Sequence, residues 1–334
     1  RSEKVAELAM SLKQRGWAPD VMLAHPGWGE AMLLRQVFPG SPLIIWPELW
    51  LQANHLGLDA GQELSVPQMH YLRTKNWLVD GAMADATMAV LPTRYQADSF
   101  PARWHHKIRV IHEGVPEALL DVPRLQQLTL LNGITLGAEV PVVTFISRNL
   151  EPMRGFPTFM RALPALLRHH PNVQIVVVGG DEVSYSSAPN NENTWRQVLL
   201  NELKGQFDPQ RVHLFGRMPH DQLVKLYRRS NLHVYLSNAF VLSWSLLEII
   251  ACGTPVLAQA NPMMEELIEP GVNGSLWRGE HPDNLAMAIA ELLQQPKQLT
   301  QWSEAGKQHL KPTFLQSHCI NQLETLLQNQ ATRF

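Results

Sequence analysis

Two cysteines among 334 residues, Cys252 and Cys319, lie far apart in the chain. They exclude a disulfide framework and a thiolate zinc cluster, and they point to a reducing compartment. Charge is scarce at 17% and nearly balanced, 28 Lys and Arg against 30 Asp and Glu. No sustained basic run occurs, which disfavours general nucleic-acid binding. No apolar stretch approaches the ~20 residues of a membrane span, and no secretory leader is visible. The G-x-G-x-x-G fingerprint of nicotinamide-dinucleotide sites is missing. No D-x-D closes a strand and no cluster has metal-ligand spacing, so neither a metal nor another cofactor is expected. What remains is a chain with 45% hydrophobic residues, enough for a real core. At ~150 residues per domain it is long enough for two.

Helical and strand patterns alternate along it. "EKVAELAMSLKQRG" has helical period and stops at Gly16. "DVMLAHP" reads as a buried strand, "EAMLLRQVF" as a helix and "PLIIWPEL" as another apolar run. "VPQMHYLRTKNWLVDGAMA" is helical with Pro67 in its first turn. "TMAVLPT" and "IRVIHEG" follow as strands. In the second half "VVTFIS", "VQIVVVGG", "VHLFG", "LHVYLS" and "PVLAQ" are each followed by a turn and a helical pattern. Continuous apolar strands separated by helices predict parallel sheets covered on both faces. The class is α/β, with two doubly wound Rossmann-like domains. The boundaries expected are 1–128, a hinge at 129–139, a second domain over 140–312, and a last helical segment, 313–334. Ligands of such sheets bind outside the carboxyl ends of the strands, so the strand-end loops hold the candidates.

After "VVTFIS" come Arg148 and Arg154, six residues apart, then Gly155 and a helix. Two guanidiniums beside a helix N-terminus suit a phosphate, although a solvated arginine pair has the same look. After "VQIVVVGG", Gly179 and Gly180 precede Asp181, either a close backbone approach to a ligand or a plain turn. After "VHLFG", His220 or Asp221 can cap the next helix. Glu248 stands alone in the apolar helix of "NAFVLSWSLLEIIACGTPVLA". It fits a capping box with Ser245, an ion pair with a distant Arg, or a carboxylate receiving two sugar hydroxyls.

Five motifs in order, "SRNLEPMRG", "VVVGGDE", "RVHLFGRMPHDQLVKLY", "NAFVLSWSLLEIIACGTPVLA" and "MMEELIEPGVNGSLW", resemble the donor domain of GT-B glycosyltransferases. The match is to retaining family 4, the glycosyl transferases group 1, over roughly 141–277. It is weaker in the N-terminal part, through "PDVMLAHPGWGEA", "ATMAVLPTRYQADSF" and "KIRVIHEGV". The resemblance implies two Rossmann-like domains facing a cleft, the last segment crossing back to the N-terminal domain. That domain opens on a helix, with no Met and no leading strand and glycine-rich loop, and is read as incomplete.

The resemblance assigns roles residue by residue. Arg148 and Arg154 match the family's basic pair and would hold the diphosphate. Glu248 matches the second Glu of its E-x7-E motif and would bind the ribose. The first Glu falls on Phe240, a departure that puts donor identity and activity in doubt. The backbone of Phe240, Val241, Leu242 and Ser243 would still face phosphate or sugar, beside Gly179, Gly180 and Asp181, and the turn at Met218 would read the base. His25 would sit near the reacting carbon or the acceptor, with Trp28, Gly29, Thr93 and Arg94 on the acceptor side. His112 and Glu113 close another strand near the hinge.

The expected activity is retaining transfer of a sugar from a nucleotide-diphosphate sugar to a glycan, lipid-linked or small-molecule acceptor, in polysaccharide or glycoconjugate synthesis. The expected setting is cytoplasmic, at most peripheral at the inner membrane face. Three other readings share these features: a non-catalytic nucleotide-sugar binder, a GT-B sugar-nucleotide epimerase, and an unrelated two-domain sugar-binding protein of the periplasm.

Overall fold

The computed structural model describes residues 1–56, 63–189 and 193–332. They form two units. The first comprises Arg1–Gly114, Phe240–Leu242 and Gln316–Phe334, the second Val115–Ala239 and Ser243–Leu315.

In the first unit, α1 (Ser2–Gln14) is followed by Gly16 at φ 81°, a left-handed position that suits glycine. Then come β1 (Met22–Ala24), α2 (Leu34–Val37), β2 (Leu43–Ile45), α3 (Val66–Asp85), β3 (Met88–Leu91), α4 (Arg94–Asp98) and β4 (Ile108–Val110). The helix expected over "EAMLLRQVF" shrinks to four residues, its first half being turns around Gly29 at φ 90°. Helix α3 starts as expected, with Pro67 in its first turn, and the structure adds a reciprocal capping box between Ser65 and Gln68. The four strands are parallel in the order β1-β2-β3-β4. Leu43, Ile44 and Ile45 are fully buried, as a strand covered on both faces requires.

The second unit begins with a small hairpin, β5 (Leu128–Thr129) and β6 (Thr135–Leu136), turning at Asn132-Gly133. The stretch 129–139 read as a hinge therefore carries paired strands within this unit. Next come β7 (Val142–Asn149), α5 (Phe156–His169), β8 (Gln174–Gly180), α6 (Trp195–Glu202), β9 (Val212–Phe215), α7 (His220–Arg229), β10 (Leu232–Tyr235), α8 (Trp244–Ala251), β11 (Val256–Gln259), α9 (Pro262–Leu267), β12 (Ser275–Trp277), α10 (Pro282–Leu293) and α11 (Pro296–Leu310). Six parallel strands lie in the order β12-β11-β10-β7-β8-β9. The order reverses between β7 and β10, the point where doubly wound sheets open a crevice at the strands' carboxyl ends. The core beneath holds Phe145, Phe156, Phe159, Leu163 and Ile289. The last helix, α12 (Gln316–Ala331), belongs to the first unit. Its Leu323, Leu326 and Leu327 pack against Ile44, Val90 and Ile111. Both cysteines are buried, and neither is in a disulfide.

Three buried imidazoles make stability depend on pH. Burial pushes the pKa of His55 and of His112 down to about 4, and that of His233 to about 3. Each lies below the ~6.5 of a free imidazole, so on acidification the unfolded chain takes the proton first. Their contribution is complete above about pH 6.5 and is lost as pH falls through the interval down to the folded values. Thermal scans should show a melting temperature that declines steadily from pH 6.5 to 4. His112→Asn should flatten that decline, because an amide oxygen can replace Nδ1 as acceptor for the Gly114 N–H, now at 2.8 Å. An identical decline in the variant would remove His112 from this account.

Candidate functional site

The crevice between β7 and β10 is built by the two loops that leave those strands. Strand β7 ends in an irregularity: its register with β8 shifts between Ile146 and Asn149. The bulge leaves Arg148 exposed and Asn149 buried. A turn at Pro152–Arg154 follows, and Gly155 at φ 74° begins α5. An added Cβ at Gly155 would lie 2.7 Å from the Leu236 carbonyl oxygen, so glycine is what lets the two loops touch. They are stitched together by the Asn238 N–H donating to the Met153 carbonyl at 3.0 Å. At the same place Arg154 Nη1 donates to Ser237 Oγ at 2.8 Å. Arg154 is thus fixed at the reversal of strand order, where anions find helix N-termini and cations together.

Glu248 lies on α8, and its carboxylate accepts from or pairs with His220 Nε2 at 2.9 Å. Neither the capping box nor the arginine pair holds. The N-cap of α8 is Ser243, Ser245 sits inside the helix, and no side chain caps it. The first turn of α8 thus has no side-chain cap at the loop that follows β10. His220 and Asp221 do not cap α7 either; its N-cap is Pro219, without a side-chain hydrogen bond. Tertiary packing turned His220 toward Glu248 instead.

The paired glycines have a structural explanation. A Cβ at Gly179 would meet the Ser147 carbonyl at 2.8 Å, and one at Gly180 the Glu182 carboxylate at 2.6 Å. Both glycines therefore lie against protein atoms, Gly179 against the end of β7 and Gly180 against its own loop. Asp181 pairs with Arg196 at 2.8 Å, and Arg196 also donates to the Gly179 and Phe215 carbonyls. Met218 is half-buried in the turn after β9, and Leu242 is buried, with Val241 half-buried beside it. Phe240, Val241 and Leu242 count with the first unit, while Ser243 counts with the second.

In the first unit, His25 follows β1. Its Nδ1 accepts the Gly27 N–H at 3.2 Å, its ring stacks on Trp28 at 4.7 Å, and its Nε2 lies 3.5 Å from Glu48. Glu48 holds φ 60°, the one non-glycine positive φ among the described residues. Its carbonyl is gripped by buried Gln96 at 2.7 Å. Thr93 spends its hydroxyl on α4, accepting the Gln96 N–H at 3.2 Å, while Arg94 is exposed. Buried His112 lies 3.5 Å from Glu113.

Sequence reasoning missed Glu151, Ser237, His220 as partner of Glu248, and Glu48. Glu151 is 1% exposed, and one of its oxygens accepts the N–H groups of Ser184, Tyr185 and Ser186 at 3.0, 3.0 and 2.9 Å. A lone Glu before a proline reads as solvated loop. Its partners lie more than thirty residues away, so no local signal marks it.

Residues 135–309, more than half of the chain, match the family model described as glycosyl transferases group 1. The chain belongs to that family. Residues 1–119 match a second model, a glycosyl transferase family 4 group. This family member is 27% identical over 285 residues to a D-inositol 3-phosphate glycosyltransferase of Acidothermus cellulolyticus, covering 76% of the present chain. A homologous enzyme of Thermobispora bispora is 27% identical over 81% of it. The chain spans about three fifths of the length of the Acidothermus relative, 60%. Among solved structures, the sucrose-phosphate synthase of Thermosynechococcus elongatus superposes with TM-score 0.76 at 19% identity, covering 99% of this chain and 78% of its own. Anabaena HepE, solved with UDP and glucose, gives 0.76 at 19%, covering 97% and 81%. These likenesses show a shared fold: the family member is a GT-B protein with two Rossmann-like units, as its motifs implied.

Proposed function

We propose that the chain transfers a sugar from a nucleoside-diphosphate sugar to an acceptor hydroxyl, with retention at the anomeric carbon. The observation that carries this reading is Arg154 held against Ser237 at the strand-order reversal of the second unit. Departure of the sugar leaves charge on the diphosphate. Arg154, Arg148 and the uncapped N–H groups of α8 would stabilise that charge more in the transition state than before it. Glu248 would accept the ribose hydroxyls, and the backbone at Met218 would face the base. His25, stacked on Trp28, would orient the sugar or the acceptor. HepE binds UDP and glucose in its solved complex, which supports the donor class. The transfer is read as needing no metal, the arginines supplying the positive charge, and activity should survive a chelator. Polysaccharide or glycoconjugate synthesis in the cytoplasm is the setting proposed. No helix among the described residues is long and apolar enough to cross a membrane.

Calorimetric titration with UDP and GDP, then with their sugars, tests the donor site. Glu248→Ala should weaken the preferred nucleotide about tenfold, a loss of ~1.4 kcal/mol. Failure of the folded protein to bind any of them would overturn the reading. Proton NMR of the product should show the anomeric configuration of the donor. A second reading follows from Phe240, which stands where the family has its first motif Glu: a binder that holds the nucleotide sugar without turnover. Tight donor binding with no glycosylated product across an acceptor panel would favour it. An altered nucleotide sugar without an acceptor would mark an epimerase.

A further inference from the structure

We propose that the segment Ser184–Ser186 is a working wall of the donor site, with Tyr185 as a diphosphate-site residue and Glu151 as the residue that positions it. The inference rests on the donor site proposed above and extends it to residues outside its motifs.

The geometry is specific. Arg154 lies beneath the Tyr185 ring, its guanidinium carbon 5.3 Å from the ring centroid. The ring lies against the guanidinium, while Ser237 holds the group through Nη1. A guanidinium has five N–H donors in one plane, more than the bond to Ser237 uses, so it has donors to offer an anion. Held by Tyr185 and Ser237 together, Arg154 has its position set before a ligand arrives, and less order is lost on binding.

Nothing in Tyr185's own stretch explains its position, because it lies in a polar loop without regular structure. Glu151 supplies the explanation. Its buried carboxylate collects three consecutive N–H groups, those of Ser184, Tyr185 and Ser186. Two further bonds close the clamp: Met153 N–H to Ser186 Oγ at 2.9 Å and Asn149 Nδ2 to Ser184 Oγ at 2.7 Å. A buried carboxylate is costly unless it is satisfied in this way. The clamp ties the loop after β8 to the loop after β7 that carries Arg154. Tyr185 nevertheless stays 44% exposed. A ring wanted only for packing would be covered, whereas this one spans a cation and open solvent.

The test is a double-mutant cycle read by calorimetry with UDP and GDP as probes. Tyr185→Ala should weaken the preferred nucleotide about tenfold, for loss of a cation–π contact and of preorganisation. Tyr185→Phe, which keeps the ring, should bring binding back to within about threefold of wild type. In an Arg154→Ala background the same Tyr185→Ala change should cost less than about twofold, because its effect runs through the guanidinium. Glu151→Gln should show the same dependence on Arg154, which a general loss of stability would not. A loss at Arg154 but none at Tyr185, or full additivity of the two, overturns this inference and leaves the donor site standing. A nucleotide that binds equally well to Arg154→Ala overturns both.

Discussion

Arg154→Ala is expected to lower the rate of sugar transfer about a hundredfold to a thousandfold, the cost typical of deleting one preorganised group that meets developing charge. The expectation follows from where the side chain is held. Arg154 sits at the reversal between β7 and β10, bonded to Ser237 and stacked on Tyr185. Its charge is fixed where the leaving diphosphate would gain negative charge. Binding of the intact nucleotide sugar should suffer less than turnover, because the diphosphate carries less charge in the ground state than as a leaving group. Arg154→Lys should recover part of the rate, keeping the charge while losing the planar fork. Steady-state kinetics with the preferred nucleotide sugar, beside calorimetry with the same intact nucleotide sugar in the absence of acceptor, separates the two effects. Equal losses in both would mean that Arg154 contributes only uniform binding.

Gly155→Ala should destabilise the second unit by about 3 kcal/mol, from left-handed backbone strain of ~1–2 kcal/mol plus overpacking of ~1–3 kcal/mol. Two causes act at one position. Gly155 holds φ 74°, and the new methyl would lie 2.7 Å from the Leu236 carbonyl oxygen. Backbone cannot swing aside as the tip of a long side chain can, so the β7 and β10 loops must part. Gly205→Ala separates the causes. Gly205 has a similar φ, 76°, but an added Cβ there meets nothing within 4 Å. That variant should show only the backbone strain, ~1–2 kcal/mol. Urea unfolding followed by tryptophan fluorescence would read both, as shifts in midpoint at unchanged slope. A Gly155 variant no less stable than the Gly205 variant would show that the loops can separate at little cost. The Gly155 variant should also lose nucleotide binding in its folded fraction, since Arg154 is the preceding residue.

Part of this protein could be read from the chain. Near-continuous apolar runs such as "VVTFIS" and "VQIVVVGG" have one stable use, a parallel strand covered on both faces, and they became β7 and β8. Pro67 in the first turn of α3 is likewise a local signal, since its ring fixes φ for a helix start. Another local pattern misled. Ser245 and Glu248 have capping-box spacing, but the helix starts at Trp244. Glu248 reaches across to His220 instead, 28 residues earlier.

The sequence by itself determined the α/β class and the succession of strands and loops, because hydrophobic period and turn residues act over a few neighbours, and its ordered motifs carried the resemblance to the family. Only the tertiary structure decided which loops meet. The reversal of strand order brings Ser237 to Arg154 across 83 residues. Burial made Glu151 the clamp of a loop more than thirty residues away. Such pairings depend on strand order and on the need of every buried polar group for a partner. Both are properties of the packed molecule and leave no mark at the spacing of neighbouring residues.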